Sequence, residues 1–443
     1  MKKLATAIVA CTAAVLSFLV PGWPSAPPQI GFFSPSGMHQ EFAGKVQFAV
    51  INAENIDNLR TSFELARKSK TDLLIDLGPL IAKKASAGDL SVTYAAPDGS
   101  TRLKKYQPVL PIKIRKILGD ESLRTALAPY AKLMAEYQDQ LKAVFLVDEP
   151  YLNGVSKSEL ERASRVIRGV LVNSGVRSPR IGVNFAAAEF DAGFGAEVAE
   201  AANRYVVDVE AYRDSLIGKP EFRSWDEAFS KARLTTYDNA GSLYAEGGIP
   251  DGVDFISFDF YVSTLLVDAL HDRSLAWFAR HTNEPACSSF KDSTMSSIRG
   301  RLSFFRDGPV VQDPTAQISD RALLDSIFNC RMRATVGLLH QAIDRSSSKP
   351  EILLIGESSG NGFVEFDKSG RVETAQPEKL IELRSFQETQ RYIDFYNAHR
   401  QDFAGLAFFT FGDEHDASIA LTIRGAAAMP SVTAAIFAAS AGR

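Results

Sequence analysis

KAVFLVDEP, residues 142–150, is the stretch on which the reading of this chain turns. An almost unbroken apolar run, Ala143 to Val147, leads directly into Asp148, Glu149 and Pro150. A strand with one wet face alternates apolar and polar residues. A run without alternation belongs to a strand buried on both faces, as in a parallel sheet. Carboxylates at the end of such a strand sit where the sheet meets solvent.

Seven other runs have the same character: PQIGFFSP (28–35), VQFAVIN (46–52), TDLLIDLG (71–78), RIGVNFA (180–186), VDFISFDFY (253–261), EILLIGES (351–358) and GLAFFTFGD (405–413). Helical patterns separate most of them. Residues 58–70 place Leu59, Phe63 and Ala66 on one face. Ser156 with Glu159 forms a capping box for a helix carrying Leu160, Ala163, Ile167 and Leu171, ending near Gly175. Two long helical stretches cover 320–345 and 377–400. Strand and helix alternating around eight strands predict an α/β fold, a (β/α)8 TIM barrel. A doubly wound open sheet is the competing topology, but no GxGxxG opens a helix after the first strand. Three intervals exceed a simple crossover: 79–141, 187–252 and 262–350, so long insertions are expected after strands three, five and six. The first contains SVTYAAPDGSTRLKKY, which reads as a hairpin turning at Pro97–Gly99.

The 443 residues are 45% hydrophobic and 23% charged, an ordinary globular composition. Basic and acidic residues number 49 and 53 and are well mixed, and the absence of a basic stripe excludes nucleic acid as an expected partner. The first 26 residues read as an export signal: Lys2 and Lys3, then the apolar run Leu4–Val20, then Pro21, Gly22 and Pro24 before Ser25 and Ala26. Pro27 leaves the exact cleavage position open, and an uncleaved anchor helix is the alternative. That apolar run is shorter than the ~20 residues a membrane span needs. One barrel domain over 27–443 is the expected organisation, secreted or periplasmic, with no stable membrane span after signal removal and no feature bearing on oligomeric state. Beyond the signal the cysteines are Cys287 and Cys330, an even pair that a disulfide can join, with two unrelated buried thiols as the alternative. No CxxC and no Cys/His cluster occurs, so neither a metal nor another cofactor is expected.

Glu149 ends the fourth strand and Glu357 the seventh, both at the carboxyl ends where barrels carry chemistry. Two carboxylates in different environments suit glycosidic bond cleavage, one as acid and base, the other attacking the anomeric carbon or activating water. Asp76 on strand three, Asn184 on strand five, Asp259 and Tyr261 on strand six, and Asp148 beside Glu149 are candidates to bind sugar hydroxyls. The eighth stretch adds Phe411, Asp413 and His415, with Glu414 and Asp416 completing GDEHD. Tyr151, Trp225 and Trp277 can stack on a sugar ring or serve as packing.

This pattern resembles the large clan of retaining (β/α)8 glycoside hydrolases, which includes cellulase-like and β-glycosidase enzymes. The resemblance spans roughly 28–440 and rests on the strand pattern and the DEP and GES motifs. It implies Glu149 as acid/base, Glu357 as nucleophile, a carbohydrate substrate, and a hydrogen bond from Tyr261 to the nucleophile. The clan has Asn where Asp148 stands, and Trp where the eighth strand offers Phe409 and Phe411. Those two departures keep a non-catalytic carbohydrate-binding barrel open as a second reading. A third is a metal-dependent barrel enzyme using Asp76, Glu149 and Asp259.

Overall fold

The computed structural model describes residues 28–86, 90–106, 113–151, 153–196, 212, 215–230, 247–259, 269–292, 314–360, 364–366, 372–375, 378–416 and 421–442. The signal-like segment 1–26 and Tyr261 lie outside them. The chain opens with β1 (Ile30–Phe33), β2 (Phe48–Asn52) and β3 (Asp72–Asp76), followed by four short strands, β4 (Ala82–Ser86), β5 (Leu90–Ala95), β6 (Thr101–Tyr106) and β7 (Lys113–Ile117). Then come β8 (Leu141–Asp148), β9 (Ile181–Ala186), β10 (Phe255–Asp259), β11 (Glu351–Glu357), β12 (Val364–Phe366), β13 (Val372–Ala375), β14 (Gly405–Phe409), β15 (Glu414–Asp416) and β16 (Leu421–Ile423). Helices α1 (Ile56–Ser69), α2 (Gly78–Ile81), α3 (Asp120–Glu136), α4 (Lys157–Asn173), α5 (Ala269–His281), α6 (Pro314–Arg345), α7 (Glu378–Ala398) and α8 (Pro430–Ser440) lie between or after them.

Eight of these strands close into a barrel in the order β1-β14-β11-β10-β9-β8-β3-β2, every neighbouring pair parallel. They are the eight apolar runs of the sequence, so the fold is the (β/α)8 barrel. Two apolar cores explain why those runs do not alternate. Phe145, Phe255, Leu353 and Ile355 fill the barrel interior, while Val144, Leu146, Val183, Ile256 and Leu354 face the surrounding helices. Large and small residues interlock inside. A Cβ on Gly182 would stand 2.2 Å from the Phe255 ring, and one on Gly31 would stand 2.3 Å from the Phe48 carbonyl oxygen. These glycines are the space that the two phenyl rings occupy.

The helices obey their local signals. Asn55 caps α1 by accepting from the Asp57 and Asn58 N–H groups, so the helix starts two residues before the apolar periodicity alone indicates. The capping box of Ser156 and Glu159 is fully formed. Between β3 and β8 the chain builds two antiparallel pairs, β4 with β7 and β5 with β6. The second turns at Asp98 and Gly99, whose φ of +81° favours glycine. Cys287 and Cys330 are joined in a disulfide between α6 and the 3-10 turn at Pro285–Phe290. No helix among the described residues is long and apolar enough to cross a membrane.

Candidate active site

At the carboxyl ends of the barrel strands the period-two alternation turns polar side chains inward. Leu353 and Ile355 point into the barrel, and two residues further on so does Glu357, paired with the inward Phe409 of β14. By the same register Asp259 stands beside Ile355, and Asn184 stands beside Ser257.

Strand β8 breaks the alternation. Phe145 pairs with Gly182 and Asp148 with Asn184, so three steps on β8 face two on β9. Leu146 and Val147 both turn to the outer core, the signature of a β-bulge. The extra residue brings Asp148 inward, where an unbroken strand would place Val147 and Glu149. Glu149 then takes φ of +47°, a left-handed conformation that costs a non-glycine residue about 1–2 kcal/mol. Asn153 holds that turn: its backbone N–H donates to the Glu149 carbonyl at 3.1 Å and its side-chain amide donates there at 2.8 Å. The pair Asn153-Gly154 is a turn signal, and with it the sequence contains the brace of Glu149, a role the sequence reading did not assign. Replacing Glu149 by Gly is therefore expected to stabilise the fold by about 1 kcal/mol. A lower denaturation midpoint in urea would show that the turn carries no strain.

Bulge and turn together form a small cleft, about 160 Å³, lined by Phe33, Asp148, Glu149, Asn184, Asp259, Phe409 and Ile423. A cavity of about 790 Å³ at the opposite end of the barrel is larger. There the charged side chains are engaged with one another, Lys142 with Asp72 at 3.5 Å and Arg180 with Glu351 at 2.7 Å. At the smaller cleft three carboxylates, Asp148, Glu149 and Asp259, converge, which makes it the candidate site.

Burial and the nearby Asp148 charge push the Asp76 carboxyl up to about 7, against the opposing pull of the Gly78 N–H and Arg115. Burial likewise raises Asp148, opposed by the Asn184 hydrogen bond and the Arg115 charge. Arg115, on β7, also donates to the Asp148 carbonyl at 3.3 Å. It comes from the long segment after strand three, and no local motif marks it. Glu357 is fully buried, its carbonyl accepting the Thr389 hydroxyl of α7 at 3.1 Å. Burial first, then the charges of Glu388, Glu357 and Asp259, hold the Tyr392 phenol well above its ordinary value. The Tyr392 ring lies against Gly356, where a Cβ would come within 2.9 Å of it.

Other candidates lie elsewhere. Phe411 is 2% exposed and packs among Phe32, Phe42 and His39, outside the barrel interior. The cleft aromatic of the eighth strand is Phe409, because Phe411 follows the end of β14, where the inward alternation has ceased. Asp413 accepts the Gly425 N–H at 2.8 Å, a turn contact, and His415 is exposed on the β15–β16 hairpin. Neither lines the cleft. Tyr151 is buried, donating to the Gly248 carbonyl at 2.6 Å. Trp225 is buried in a cluster with Val92, Tyr94 and Leu216, and Trp277 stacks on His281. All three are packing residues. Among the described residues no group of three His, Cys, Asp or Glu converges for a metal ion, so Asp76, Glu149 and Asp259 do not form one.

No protein-family model matches the sequence, and no curated protein matches it. The sequence-wide structural likenesses include three solved structures. Xylanase B from Clostridium stercorarium F9 is 11% identical, with 87% of this chain and 86% of that one covered and a TM-score of 0.32. The family 1 β-glucosidase from Thermotoga maritima is 10% identical, with 89% and 84% covered and a TM-score of 0.34. The Ignisphaera aggregans GH53 catalytic domain is 12% identical, with 95% and 98% covered and a TM-score of 0.36. The barrel itself stands on its own strand pairing.

Proposed function

We propose that this protein is an exported glycoside hydrolase that cleaves an oligo- or polysaccharide by a two-carboxylate retaining mechanism. The observation that supports the reading is that Glu149, in a strained turn just after the β8 bulge, lines a cleft together with Asp148 and Asp259, while Glu357 ends β11 at the same end of the barrel. Strain of this kind persists where the surrounding structure enforces it and is frequent at active sites. Glu149 is the acid and base toward the leaving oxygen. Glu357 attacks the anomeric carbon, and water from the Glu149 side then releases the sugar. Asp148, Asp259 and Phe409 contact the sugar ring. The signal-like segment at 1–26 and the disulfide support a location outside the cytoplasm, secreted or periplasmic, since disulfides persist in oxidising compartments.

The test is hydrolysis of a panel of 4-nitrophenyl glycosides and polysaccharides, with the first-formed product anomer read by proton NMR. Retention of configuration is expected. Inversion removes the retaining mechanism. Sugar binding without any turnover, unchanged in Glu149→Gln, selects instead a barrel that binds carbohydrate and no longer cuts it.

A further inference from the structure

Asn184 joins three barrel strands through four hydrogen bonds. Its backbone carbonyl accepts the Glu149 N–H at 2.9 Å. Its side-chain nitrogen donates to Asp148 Oδ1 at 2.7 Å and to Asp259 Oδ2 at 3.3 Å. Its side-chain oxygen accepts the Ser257 hydroxyl at 2.7 Å. The residue is 2% exposed, which leaves little room for water to take over these bonds. An amide turned the other way would set its oxygen against two carboxylates and its nitrogen against a hydroxyl that is donating, so this orientation is the one the neighbours allow. With both amide hydrogens engaged by carboxylates, Asn184 is poorly placed to bind a sugar hydroxyl through its nitrogen.

We propose that Asn184 is the positioning residue of the acid/base: it holds Asp148 in the bulge and the Glu149 backbone at the turn, and ties both to Asp259 across the barrel mouth. The kinetic part of this inference rests on the glycosidase reading; the geometric part does not. The two carboxylate oxygens bound to one nitrogen lie no further apart than the two bonds laid end to end, and the donor between them offsets the repulsion of two like charges. The groups facing Asn184 are Asp148 from β8, Glu149 from the turn after it, and Ser257 and Asp259 from β10. Arg115 reaches the same turn from outside the barrel, and Asp76 stands on the neighbouring β3.

The deciding variants are Asn184→Ala and the milder Ser257→Ala, which removes only the hydroxyl that orients the amide. On the best aryl glycoside, Asn184→Ala is expected to lower kcat by about 10- to 100-fold with KM changed by less than about threefold, and Ser257→Ala to lower kcat by a smaller factor. The second readout needs no substrate. Carbon-13 NMR of protein labelled at the aspartate carboxyl, with the Asp148 signal assigned through Asp148→Asn, is expected to show Asp148 titrating higher in either variant than in the parent. The titration reads the Asn184–Asp148 bond itself, and the fall in kcat at nearly constant KM, which a merely structural asparagine would not give, reads its effect on the acid/base. Unchanged kcat together with an unchanged Asp148 titration overturns the proposal. If Asn184→Ala fails to fold, Ser257→Ala decides it by the same two readings. If the parent hydrolyses nothing, the glycosidase reading fails while the titration still tests the clamp.

Discussion

If the proposed mechanism holds, Glu357→Gln is expected to reduce turnover by at least about 10⁴-fold on every substrate, because it replaces the attacking carboxylate by a neutral amide that is no nucleophile. Glu149→Gln is expected to behave differently. Loss of a general acid costs about 10²- to 10⁴-fold where the leaving group needs a proton. With a 2,4-dinitrophenyl leaving group, which departs without one, most of the first step survives, and added azide can take the place of the water that Glu149 activates. The two variants are isosteric with the parent and add no volume to a fully buried site at 357. Sugar affinity in Glu357→Gln should therefore hold within a few fold. A leaving-group dependence seen for Glu357→Gln and absent for Glu149→Gln would reverse the two roles. Equal, modest losses in both would remove the pair. A crystal structure with bound sugar gives an independent check, since a retaining pair stands about 5–5.5 Å apart.

How far the sequence could carry this site depends on parity. Each barrel strand was legible because a strand buried on both faces needs no alternation, and continuous apolar runs such as ILLI at 352–355 are hard to read otherwise. That same continuity hides which residue faces in. Glu357 follows from counting by twos, but Asp148 does not, because the bulge at Leu146 and Val147 shifts the count by one. Its existence depends on pairing with β9, which no local motif announces. The loop aromatics, which could stack on a sugar or serve as packing, stayed undecided in the sequence for a related reason. Trp225 is buried by Val92 and Tyr94, residues of the β5–β6 hairpin far away in the chain, and Tyr94 itself meets Tyr212 hydroxyl to hydroxyl at 2.5 Å. A tryptophan in a long loop is free to stack on a ligand only if no other loop covers it, and that is a tertiary fact. GDEHD shows the converse: four polar residues in a row at a strand end look like a site, yet Asp413 serves a turn and His415 stands on a hairpin.

The second large effect is one of stability, and it sits at Asp76. In the unfolded chain this carboxyl titrates near 3.8, and in the folded barrel burial and the Asp148 charge raise it to about 7. A group whose folded value is raised binds its proton more tightly in the native state. Its ionisation therefore opposes folding: the penalty is absent below the unfolded value, grows as pH climbs between the two, and is complete above about 7. The span corresponds to an upper figure of about 4 kcal/mol at pH 8. Asn keeps an oxygen to accept the Gly78 N–H, which Asp76 now accepts at 2.8 Å, and carries no charge. Asp76→Asn is thus expected to match the parent in urea denaturation at pH 4 and to exceed it by about 2–4 kcal/mol at pH 8. Asp148→Asn, by removing the second cause of the shift, should recover part of the same gain, and the two gains should add to less than their sum because each variant relieves the other's repulsion. A difference between Asp76→Asn and the parent that does not change with pH would sink the account. If the gain is found, the barrel holds at its mouth a carboxylate that weakens it at neutral pH, within reach of the charge of Asp148 and one strand from the Glu149 turn. The charge that helps to raise it is that of Asp148, the residue that Asn184 ties to the Glu149 turn.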